Sequence, residues 1–223
     1  MERAYRNIGY ILLALLPIFI AGFWIPYFSE IPHFDVSITT AVHVHAILLF
    51  CFLGLLVFQP LAIRYKAFPA HRLVGKLSNV MMPFILTFSV AMIGKEYREH
   101  LASGALVTEA RNAEFLSAAQ LLLLGTMYGL SISSIRKRDI SAHMRYMICI
   151  AIILLPAGLA RTLGYWFHVR QASSQAACLV LIDVLLIALI IFDRRRSSAR
   201  PYIRTLLAYI VVEVLWVSIG RPV

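Results

Sequence analysis

The chain has 223 residues, of which 61% are hydrophobic and 14% charged, with a formal net charge of +10 and a mean hydropathy of +0.80. That balance excludes an ordinary soluble domain, in which about a quarter of the residues are charged. The basic residues fall between apolar runs, so the charge points to topology signals and anionic lipid headgroups and excludes nucleic acid as a partner.

The first six residues are basic and precede an apolar stretch, as in a signal peptide. The stretch runs on to Trp24-Ile25-Pro26-Tyr27 without a small-residue cleavage site, so residues 8–28 are expected to stay as a first membrane span. Six more segments have the length and apolarity of spans: 38–63, 73–94, 113–135, 142–165, 174–192 and 203–220. Pro26, Pro32, Pro69, Gly104, the Arg136-Lys137-Arg138 run and Pro201 punctuate the connections. The expected fold is all-α, a polytopic bundle of seven transmembrane helices forming a single membrane domain over 1–223. With no long loop, a ligand site has to lie between helices or at their ends.

Lys and Arg divide fifteen to six between the two sides. The richer side includes Arg3, Arg6, Arg64, Arg72, Arg145 and the anchors Arg136 to Arg138 and Arg194 to Arg196. The other holds Lys95, Arg98, Arg111, Arg161, Arg170 and Arg221. This asymmetry predicts the N-terminus inside and the C-terminus outside a bacterial cytoplasmic (inner) membrane, with anionic headgroups on the cytoplasmic side.

Ionisable groups inside apolar spans are costly and therefore candidates for function. In chain order, His43 and His45 open the second span. Two residues apart, they point roughly 200° away from each other, so they cannot share one ligand from a regular helix. Gln59 lies fourteen residues after His45, about four turns or roughly 21 Å along nearly the same face. A histidine at both positions would suit two stacked hemes; glutamine, a poor heme ligand, breaks that pattern. His71 and His143 open the third and fifth spans on the inner side and form a candidate bis-histidine heme b or metal site, with Met144 or Met147 as softer alternatives. Their plainer role is to bond lipid phosphate or backbone. His71-Arg72 and His143-Met144-Arg145 also fit an anion site at a helix N-terminus. Arg161 lies toward the outer end of the fifth span, while Asp183 and Glu213 sit near the middle of the sixth and seventh. They read either as a structural ion pair between Arg161 and one carboxylate or as a proton or cation path. His33, His100 and His168 are expected in outer loops. Cys51, Cys149 and Cys178 are expected as buried thiols, since they form no CxxC pair.

The spacing of His45, Gln59, His71-Arg72-Leu73-Val74-Gly75, Arg138-Asp139, His143 and Leu155-Pro156-Ala157 before Arg161 resembles a family of short, mostly uncharacterised bacterial seven-helix membrane proteins with H...Q...HRxLG...HxRxM...R motifs. Members often carry Trp shortly after the first histidine, where this chain has Phe52. The resemblance covers the second to fifth spans, leaves Asp183 and Glu213 outside, and implies His45, Gln59, His71, His143 and Arg161 as site residues without implying a reaction. Three functions follow. The first is a heme b or redox protein exchanging electrons with a quinone or another cytochrome. The second is a transport or binding protein for a small lipophilic or anionic ligand. The third is a lipid-modifying enzyme using His45 with Asp183 or Glu213.

Overall fold

The structure, a computed structural model, describes residues 5–33, 38–104, 106–194 and 199–219. Arg3, Arg195, Arg196 and Arg221, which contribute to the predicted orientation, lie outside them. The described residues form α1 (Ile8–Trp24), a 3-10 turn (Phe28–Glu30), α2 (Thr40–Arg64), α3 (Phe68–Ala102), α4 (Val107–Arg136), α5 (Ile140–Phe167), α6 (Gln171–Asp193) and α7 (Arg200–Ile219), with no strand among them. The fold is the expected all-α bundle. Six helices, α2 to α7, are long and apolar enough to cross a membrane, whereas α1 is apolar but has 17 residues. At 1.5 Å per residue that is about 25 Å, short of a hydrocarbon core of about 30 Å.

Short connections impose an antiparallel order, with two ends. The base holds the start of α1 and the α2–α3, α4–α5 and α6–α7 connections; the crown is the opposite end. At the base, Lys66 (φ 61°) and Arg138 (φ 62°) take left-handed conformations that end α2 and α4. Pro69 in the first turn of α3 and the Asp139 carboxylate, which accepts from the Ala142 amide at 2.9 Å, start the next helices. At the crown, His168 (φ 53°) closes α5, and the Val169 amide donates back to the Leu163 carbonyl at 3.1 Å.

The central element is α5, with 56% of its apolar window buried against 17% for α3. It packs on α1, α4, α6 and α7, and its unbroken buried run from Ile148 to Pro156 is what a helix surrounded by others requires. α1 reaches α5 through backbone contact, since a Cβ on Gly22 would stand 2.3 Å from the Gly158 oxygen. Next to this crossing, Thr162 and Trp166 of α5 donate to the α1 carbonyls of Ile18 and Ala21.

Several expectations change. α1 ends at Trp24 rather than at 28; Pro26 has no amide hydrogen with which to continue the helical ladder. α3 and α4 extend well past the expected limits of 94 and 113, so most of the predicted crown loop is helix. Hydropathy marks where hydrocarbon ends, not where a helix ends, and the Lys95–Glu99 pair (2.8 Å, one turn apart) supports the polar extension. His100 is therefore in the last turn of α3, not in a loop. Cys51 is exposed on the outside of the bundle, because its neighbour Phe52 takes the inward position. Arg145, counted above among the inner-side charges and in a candidate anion site, is wholly buried.

Candidate functional site: a polar chamber at the crown

Three connected cavities open at the crown, of about 190, 340 and 440 Å³. Glu96 of α3 and Arg161 of α5 line all three. The Arg161 guanidinium lies 3.7 Å from the Glu96 carboxylate and 5.0 Å above the Phe23 ring of α1, and donates to the Ala157 carbonyl at 3.0 Å. Salt bridge, ring and carbonyl hold the group at the chamber wall, yet its five N–H donors are not exhausted by two acceptors.

His45 enters from α2 and lines the first two cavities, within electrostatic range of Arg161. Its Nδ1 is buried and has no hydrogen-bond partner among the described residues. His43 points elsewhere, its Nδ1 2.9 Å from the Tyr27 hydroxyl. The regular helix thus separates the two rings, as their spacing requires. Glu114 of α4 completes the polar wall, with one carboxylate oxygen 3.2 Å from His100 Nδ1, the carboxyl of Glu96 beside it, and Oε2 buried with no hydrogen-bond donor among the described residues. Apolar surface from Leu49, Phe50, Met92 and Leu154 faces these groups. A chamber with apolar walls and a few convergent polar groups at one end is the ordinary form of a small-molecule site.

The predicted partner of Arg161 needs correction. The carboxylate beside it is Glu96, whereas Asp183 and Glu213 meet each other across α6 and α7. The sequence reading ended the third span at 94 and left Glu96 in a loop. Glu114 lay inside the predicted fourth span, so the cost of a carboxylate there was a usable signal.

The remaining predicted residues gather near the base. His71 approaches the backbone of Gln59, and the Gln59 amide lies over Gly75, where a Cβ would stand 3.5 Å from its Nε2. His143 Nδ1 is 2.7 Å from the Ser131 hydroxyl, and the ring is within electrostatic range of His71. The Tyr128 hydroxyl bridges Ser78 and Asn79 at 2.9 and 3.0 Å. His71 Nδ1 and Gln59 Oε1 are buried without partners. The structure therefore brings Gln59, His71 and His143 together and leaves His45 and Arg161 at the other end. Among the described residues no three His, Cys, Asp or Glu side chains are grouped to hold a metal ion.

Also at the base, Arg145 pairs with Asp193 of α6, and both are fully buried. Ser141 accepts from the same guanidinium, and the Tyr5 ring lies 5.3 Å from it. The sequence reading missed this pair because both residues stand at predicted span ends, where charge is expected in the headgroups. Compared with known proteins, the chain significantly matches no family model, no curated protein and no solved structure.

Proposed function

We propose that the chain is an integral membrane protein that binds or transports a small, largely apolar ligand with a polar head, held in the crown chamber. The observation that carries this reading is the unpartnered, buried His45 Nδ1 in a cavity that also presents Arg161. A buried polar atom without a partner is costly, and a ligand atom within hydrogen-bond reach removes that cost. Arg161 suits an anionic or carbonyl oxygen, Glu96 and Glu114 suit donor groups, and the apolar wall suits a hydrocarbon or ring body. In the same reading the bundle lies in the bacterial inner membrane with the base and the N-terminus cytoplasmic.

Native mass spectrometry of the protein released from membranes tests the chamber. The expected result is a small-molecule adduct on the wild type that is lost in folded His45→Leu and Arg161→Met variants. A wild type without adduct, or variants that keep it, would count against the reading.

A second reading, a heme b protein using His71 and His143, draws support from the proximity of the two rings and from the free His71 Nδ1. When bound, a heme would supply one-electron chemistry. Its binding would require His143 to leave Ser131 or to ligate through its other ring nitrogen. An absorption spectrum after heme supplementation decides it: a Soret band that disappears in His71→Ala supports it, and a colourless protein ends it.

A further inference from the structure

Far from both ends, α6 and α7 bring two acidic side chains together at their seam. Asp183 lies ten residues from Asp193, about 15 Å along α6 from the buried ion pair at the base. Its carboxyl group meets that of Glu213 on α7. One oxygen of each, Asp183 Oδ1 and Glu213 Oε1, is buried and has no hydrogen-bond donor among the described residues.

Two carboxyl groups in contact need a positive charge between them, whether a shared proton or a bound cation, because carboxylates only accept hydrogen bonds and repel each other. No basic side chain supplies it. Among the described residues, no basic group is within electrostatic range of either carboxyl. Arg161, the cation that the sequence suggested, is engaged with Glu96 at the crown.

A third oxygen belongs to the same place. Tyr209, one turn before Glu213 on α7, is fully buried, and its hydroxyl has no partner. That hydroxyl is within electrostatic range of both carboxyls, and of Cys149 on α5 and Cys178 on α6. The thiols are the titratable groups that α5 and α6 add to the surroundings, and α4, which also packs on α7, sets no charged side chain against the acids. The outer sides of Asp183 and Glu213 are part-exposed between Val184 and Val214 on the apolar flank of the bundle. A lipid-soluble reagent can therefore reach them at the α6–α7 seam.

We propose that Asp183, Glu213 and the Tyr209 hydroxyl form an exchangeable site for one monovalent cation, a proton or sodium, midway through the bundle. Three oxygen donors with no resident positive charge are the chemistry of such a site, and an acid pair of this kind within a membrane span ordinarily marks an ion pathway. The site stands apart from the crown chamber, so failure of the ligand reading leaves it untouched.

The test is labelling of the purified full chain by dicyclohexylcarbodiimide, an apolar reagent that attacks protonated carboxyl groups, followed by peptide mass spectrometry. Modification at Asp183 or Glu213 is expected, falling several-fold as pH rises. Protection by sodium chloride but not choline chloride identifies sodium as the occupant; pH dependence without sodium protection identifies the proton. The Tyr209→Phe variant is expected to shift the profile while retaining the wild-type thermal unfolding midpoint. Absence of labelling at every pH, labelling indifferent to pH and sodium, or a Tyr209→Phe profile superimposed on the wild type would overturn the three-group site.

Discussion

The base and the crown carry similar residue types and use them differently. At the base, Arg145 and Asp193 are fully buried and paired, Ser141 and Tyr5 surround the guanidinium, Tyr202 donates to Tyr5 at 3.1 Å, and Arg204 donates to Tyr146 at 2.8 Å. At the crown, Arg161 and Glu96 are 39% and 44% exposed into open cavities, and His45 and Glu114 keep unpartnered atoms. A fully buried ion pair punishes the loss of either partner, although Asp193 Oδ1 has no hydrogen-bond partner among the described residues, while an exposed pair leaves bonding capacity for something else. The contrast separates the Arg145–Asp193 cluster, which holds helices together, from the crown chamber, which is available to a ligand.

That comparison breaks first at the base if it is mistaken. Asp193→Asn leaves the buried Arg145 charge without its counterion and should cost about 3–5 kcal/mol, seen as a large fall in the thermal unfolding midpoint in detergent or as loss of folded protein from membranes. Little or no change would mean that the base is not the structural end.

A smaller effect is expected where α1 crosses α5. Gly22→Ala places a methyl group against the Gly158 carbonyl, and separating the helices should cost about 1–3 kcal/mol. The same unfolding measurement checks it, with Gly54→Ala as the control, because a Cβ at Gly54 meets no atom within 4 Å.

The smallest effect on stability belongs to the crown. Arg161→Met combined with Glu96→Gln should change stability by no more than about 1 kcal/mol, since part-exposed ion pairs contribute little. The same pair of substitutions should abolish the bound adduct. A double variant that unfolds like Asp193→Asn would merge the two ends into one structural class.

The helices were legible because each is an apolar run closed by proline, glycine or charge, and the chemistry of hydrocarbon allows little else. What escaped was polar helix beyond the membrane limit. The extension of α3 past residue 94 carries Glu96, Glu99 and His100 into the chamber wall, and no hydropathy window reports it. Pairing across the bundle was equally hidden: depth arguments placed Arg161 within reach of Asp183 and Glu213, but depth says nothing about which way a side chain faces around the bundle. His71 and His143 lie within electrostatic range of each other at the base. The cavity beside His45 depends on the packing of five helices, and of its motif neighbours Arg161 lines it while Gln59, His71 and His143 lie toward the base.

The most direct measurement is an experimentally determined structure of the protein in lipid nanodiscs, read at the chamber. The account predicts non-protein density along Leu49, Met92 and Leu154, ending in an atom about 3 Å from His45 Nδ1 and in contact with Arg161. A chamber that closes around Arg161 and Glu96, with His45 Nδ1 bonded to another protein group and no density between them, would contradict it.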